Sequence, residues 1–128
     1  MSFYFAKTVA ASFDDTIARV TAALKQEGFG VISDIDVMAA MKAKLDVDFR
    51  PYRILGACNP TLAYEALKLE DKVGTMLPCN VVVQEIAPGK VEVAAIDPVA
   101  SMMAIGNPRL KEKADAVRAK LESAIGAL

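Results

Sequence analysis

The chain has 128 residues, is 54% hydrophobic, and carries a formal net charge of −1 with no histidine. One domain of that length buries roughly two-thirds of the surface its unfolded chain exposes, so neither a metal nor a disulfide is needed to hold it. The charge balance gives no general grip on nucleic acid or anionic lipid, and a chain without histidine excludes the serine–histidine and cysteine–histidine hydrolase triads.

Phe3 to Val9 is aromatic and β-branched and reads as a first strand. Ser12 has N-cap chemistry, and Asp14 and Asp15 follow where negative charge suits the helix dipole. Phe13, Ile17, Val20 and Leu24 recur at helical spacing until Gly28 stops the helix, with Arg19, Lys25 and Glu27 on its wet side. Phe29 to Ser33 is the second strand. Asp36 then caps a short helix whose apolar face is Val37, Met41 and Leu45. A charged loop from Asp46 to Arg50 ends at Pro51, and Tyr52 to Ala57 is a third strand.

Asn59-Pro60 opens the next helix, because asparagine caps through its side chain and proline needs no amide at the first helical position. Leu62, Ala63, Ala66 and Leu67 form its buried stripe. Val81 to Ile86 and Lys90 to Ile96 are strands joined by Ala87-Pro88-Gly89, an antiparallel hairpin. Asp97-Pro98 repeats the cap-plus-proline start before a short helical turn. Asn107-Pro108 repeats it before the last helix, where Leu110, Ala114, Val117, Leu121 and Ile125 share one face. Lys111 with Asp115 and Arg118 with Glu122 are four-residue charge pairs on its exposed side. The order is β-α-β-α-β-α-β-β-α over residues 1–128 as a single domain. It implies an α/β two-layer sandwich with helices over a mixed sheet of about five strands.

Phe49 to Pro60, followed by Leu77 to Val83 and Ala95-Ile96-Asp97-Pro98, resembles the bacterial and archaeal domain-of-unknown-function family 302. The resemblance covers nearly the whole chain. It implies a small α/β domain, found alone or attached to others, and carries no activity with it. Arg50, Pro51, Tyr52, Arg53, Gly56, Cys58, Asn59, Pro60, Pro78, Cys79 and Asn80 match its pattern best.

Arg50 to Pro60 is the stretch richest in chemistry. It joins two arginines, a strand, a thiol and a helix start. A helix start presents unsatisfied amides and positive potential, which lowers the pKa of a nearby thiol and attracts anions. Arg50 and Arg53 add planar groups suited to clamping an anion. They serve equally well as solvated surface or as ion-pair partners of Asp46 or Asp48. The candidate ligand-binding residues are therefore Arg50, Arg53, Cys58, Asn59 and Asn80.

Cys58 and Cys79 are the candidate catalytic residues, with Cys58 as an activated thiol acting with or without Cys79 as its resolving partner, or both as plain packing. Free cysteine is commonly a small buried hydrophobe. Two cysteines cannot supply a four-thiolate zinc site within one chain, so no metal is implied, and no cofactor either. Gly28-Phe29-Gly30 lacks the rest of a phosphate-binding motif. The acidic pairs Asp34/Asp36 and Asp46/Asp48 are explained by capping and loop solubility.

No charged stretch leads into an apolar signal segment, and no apolar run approaches the ~20 residues that span a bilayer. These readings point to a cytoplasmic protein without nucleic-acid or membrane partners. The expected function is a small-ligand or protein-binding homo-oligomer, most simply a homodimer, with a small anionic ligand as one candidate. Two alternatives are a cysteine-based redox or thiol-transfer enzyme and a purely structural interaction module.

Overall fold

The computed structural model describes residues 2–128. Five strands form one sheet: β1 (Tyr4–Val9), β2 (Gly30–Asp36), β3 (Tyr52–Cys58), β4 (Cys79–Ala87) and β5 (Lys90–Ile96). Five helices accompany them: α1 (Phe13–Gln26), α2 (Val37–Leu45), α3 (Pro60–Leu69), α4 (Pro98–Met102) and α5 (Pro108–Gly126), with short 3-10 turns after α3 and α4.

Each helix starts where a short polar side chain can close it. Ser12, Asp36, Asn59, Asp97 and Asn107 each accept hydrogen bonds from amides of the first turn of α1 to α5 in turn. The β4–β5 hairpin turns at Gly89, whose φ of +75° is left-handed territory that glycine occupies without strain.

The sheet order is β1-β5-β4-β3-β2, and every neighbouring pair is antiparallel. The two-layer, five-stranded sandwich is as the sequence implies, but the mixed sheet is not. Helices between strands suggest parallel crossovers. Here α2 and α3 are excursions that close antiparallel pairs (β2–β3 and β3–β4), while α1 carries the chain from one sheet edge to the other.

One face of the sheet makes the core. Leu55, Val81, Val83, Val91, Val93 and Ala95 meet Val20 and Leu24 of α1 and Leu121 and Ile125 of α5, all nearly sealed from solvent. Burial at about 25 cal/mol per Å² of apolar surface makes this contact the main source of stability. A satellite cluster of Ala66, Val73 and Leu110 joins α3 to α5. Asp97 is buried and takes Arg118 Nε at 3.0 Å, tying α5 to the end of β5. That pairing replaces the Arg118–Glu122 contact expected from spacing. Lys111 does reach Asp115, at 3.1 Å.

Two helices bury less than their patterns imply. No residue of α2 is buried, and its Leu45 is exposed; in α3 only Ala66 is buried and Leu67 is exposed. α2 packs chiefly against β3, and α3 chiefly against α5 and the 3-10 turn that follows it instead of against the sheet. No helix among the described residues is long and apolar enough to cross a membrane.

Candidate functional site

The ladder registers decide which side chains share a surface, because residues directly opposite one another point to the same face and neighbours along a strand alternate. Leu55, Val81, Val83 and Val93 point towards the helices. Their neighbours therefore point away, onto a face where no buried cluster forms.

Three rows cross that uncovered face. The central one runs Ile35–Ile54–Val82–Ala94–Ala6 through all five strands, each residue opposite the next. It is wholly apolar. On one side lies Tyr52–Gln84–Glu92–Thr8, and on the other are the pairs Ser33–Gly56, Gly56–Asn80 and Ile96–Tyr4. An apolar centre between more polar margins is the anatomy of a recognition surface. Two of the strand segments involved, Val81-Val82-Val83 and Ala94-Ala95-Ile96, are unbroken apolar runs. Such runs are what strands covered on both faces read like.

A chain of polar contacts edges this surface. The Arg50 Nε–H donates to Gln84 Oε1 at 2.8 Å, and Gln84 Nε2 donates to Glu92 Oε1 at 3.1 Å. The Arg50 guanidinium also lies 4.4 Å from the Phe49 ring centroid and 5.7 Å from that of Tyr52, within cation–π range.

Arg53 is elsewhere. It belongs to the helix-side face and holds Asp34 of β2 through two hydrogen bonds of 2.9 and 2.7 Å. That bidentate pair keeps the Asp34 carboxyl below the usual range and raises the already high Arg53. Neither Asp46 nor Asp48 is its partner; both lie within 3.5 Å of Lys42.

Cys58 and Asn59 occupy the far end of β3, about 20 Å along the strand from Tyr52 at the ~3.3 Å rise per residue. The Asn59 Oδ1 accepts the Leu62 amide at 3.2 Å, so the helix start meets its own cap first. Its amide nitrogen lies over Gly28, where an added Cβ would stand 3.0 Å away. Cys79 is buried opposite Ala57, whereas Cys58 is half-buried opposite Gly30. Both thiols are free, and both residues line one cleft on the helix side of the sheet. Burial, then the nearby Cys58, push the Cys79 thiol up to about 11.

The five candidate ligand residues thus separate. Arg50 and Asn80 edge the uncovered face, Arg53 is held on the other, and Cys58 and Asn59 lie at the strand's end. Cys58 and Asn59 also line a narrow, mainly apolar cleft between α3 and α5, with a cavity volume of about 30 Å³, room for about one water. Lys113 on α5 and Glu65 on α3 meet at 2.7 Å beside it. Among the described residues no group of three histidine, cysteine, aspartate or glutamate side chains is placed to hold a metal.

The central row is what sequence reading misses. Its signal is an apolar residue on the outward phase of three consecutive strands: Ile54, Val82 and Ala94.

Comparison with known proteins agrees with the fold. The family described as domain of unknown function DUF302 matches residues 5–128. The chain is also similar to the crystal structure of an uncharacterised conserved DUF302 protein from Bacillus stearothermophilus, at 31% identity, a TM-score of 0.90 and 98% coverage of each chain. No curated protein matches it.

Proposed function

Starting from a chain that belongs to the DUF302 family of unknown function, we propose that it is a non-catalytic binding domain. Its working surface is the uncovered face of the sheet, which it uses to form a homo-oligomer, most simply a homodimer. The observation that carries this reading is the apolar row through Ile54, Val82 and Ala94, each partly exposed where a folded chain would ordinarily place polar side chains. Covering that row removes apolar surface from water, and the polar margins keep the monomer soluble.

The cysteine-enzyme alternative has less to stand on. Cys79 is only 6% exposed and its thiol is pushed up to about 11, the opposite of what a resolving or attacking thiol needs.

Sedimentation equilibrium from micromolar to millimolar chain concentration tests the main reading. The expected result is a concentration-dependent rise from the mass of one chain to that of two, abolished by Val82→Asp with the helical circular dichroism unchanged. A native chain that stays monomeric throughout would contradict it.

A further inference from the structure

We infer that the occupant of the uncovered face is a second copy of this chain, docked face to face about a two-fold axis parallel to β4 and passing by Val82. The inference rests on the self-association proposed above and adds its geometry.

β4 is the middle strand of five, so Val82 is the midpoint of the central row. Along that row the side chains fall from large to small: Ile35 and Ile54 on one side of Val82, Ala94 and Ala6 on the other. A two-fold axis parallel to the strands turns the second sheet over and exchanges its two sides. Ile54 of one copy then meets Ala94 of the other, Ile35 meets Ala6, and Val82 meets Val82. An axis perpendicular to the strands would set large against large and leave the alanines facing a gap.

The same operation serves the margins. Tyr52 of one copy comes over Glu92 of the other, a hydroxyl donor to a carboxylate, and Arg50 beside Tyr52 adds the opposite charge. At the sheet edge Ser33 is small where Tyr4 is large. A surface that matches itself under a two-fold rotation is an isologous interface, the commonest kind in soluble oligomers. Twisted sheets stack with their strands about −30° apart, which tilts the axis about 15° from the β4 direction, so the match is tightest at the centre and loosens towards Ile35 and Ala6.

Five strands about 4.8 Å apart and three rows about 7 Å apart make a platform of roughly 500 Å² in plan, near the low end for specific interfaces.

The test is a size swap read by sedimentation velocity. Ile54→Ala and Ala94→Leu, made singly, are each expected to weaken the dimer at least tenfold, since each change occurs twice per interface. Combined in one chain, they restore it to within about threefold of native, because the lost volume on one copy is refilled by the other. Charge reversal gives an independent pair: Arg50→Glu and Glu92→Lys each weaken association, and the double variant recovers it. A dimer indifferent to all four changes would overturn this geometry while leaving self-association standing. A double variant no better than its singles in both pairs would also overturn it. A native chain monomeric at every concentration would overturn both.

Discussion

The two faces of the sheet are built from the same strands, yet they have opposite fates. Val81, Val83, Val91, Val93 and Ala95 are sealed beneath α1 and α5, while Val82, Ala94 and Ile54, one residue along, face away from both helices. What separates them is the pleat. A period of two lets one strand place a core residue and an interface residue side by side. The first kind holds the monomer together, and the second is available to hold two monomers together. Stability and association can therefore be attacked separately on adjacent residues.

The sharpest break in that comparison is Leu55 against Ile54. Leu55→Ala empties a site that is 1% exposed and is expected to cost about 2–5 kcal/mol in urea unfolding. Ile54→Ala is expected to cost the diluted monomer less than half as much and to show chiefly in the dimer equilibrium. Equal losses in the monomer would mean that the uncovered face is packed after all.

Gly56 tests how closely the uncovered face is fitted near β2. A Cβ there would overlap Ser33 Oγ and stand 2.6 Å from Pro78 Cγ, so both contacts must be relieved. The serine can rotate but the proline ring cannot, and Gly56→Ala is expected to lower stability by about 1–3 kcal/mol, read from the unfolding midpoint.

Cys79 sharpens the sealed side. With its thiol pushed up to about 11, at pH 8 it holds about a hundredfold less thiolate than an ordinary thiol near 9. Iodoacetamide is expected to label Cys58 first and Cys79 only on unfolding, as site-resolved mass spectrometry would read. Because the folded thiol keeps its proton longer than the unfolded one, its contribution to stability is complete below about pH 8.5 and is lost as the pH rises towards 11. Cys79→Val is expected to flatten that part of the stability profile; an unchanged slope would place the thiol in water.

The smallest effect belongs to Arg53 and Asp34. The folded Asp34 carboxyl lies below its unfolded value, so the pair contributes fully above about pH 4 and fades as the pH falls through the folded pKa. With both side chains partly in solvent, Asp34→Asn is expected to cost under about 1 kcal/mol at neutral pH, and less once acid protonates the native carboxyl.

The parts of this fold written in short stretches of chain are legible in the sequence. Ser12, Asp36, Asn59, Asp97 and Asn107 announce their helices because a cap is a bond made within three residues. The β4–β5 turn is equally local. Long-range facts are not legible: which strands neighbour one another, that α1 spans the sheet from edge to edge, or that Arg53 pairs with Asp34 and Arg118 with Asp97. The candidate site divides for that reason. Arg50, Arg53, Cys58 and Asn59 are close in sequence, but a seven-residue strand holds its ends apart and its pleat parts the arginines. Asn80 comes beside Gly56 only through the β3–β4 register. The apolar row hides better still, since each strand contributes a single residue to it.

Methyl NMR across a dilution series is the most direct test of the claim that the uncovered face binds a second copy. The account predicts that the methyl signals of Ile54, Val82 and Ala94 shift together with concentration while those of Val83, Val93 and Leu121 stay fixed. Shifts confined to α2 or to the α3–α5 cleft, or none anywhere up to millimolar chain, would contradict it.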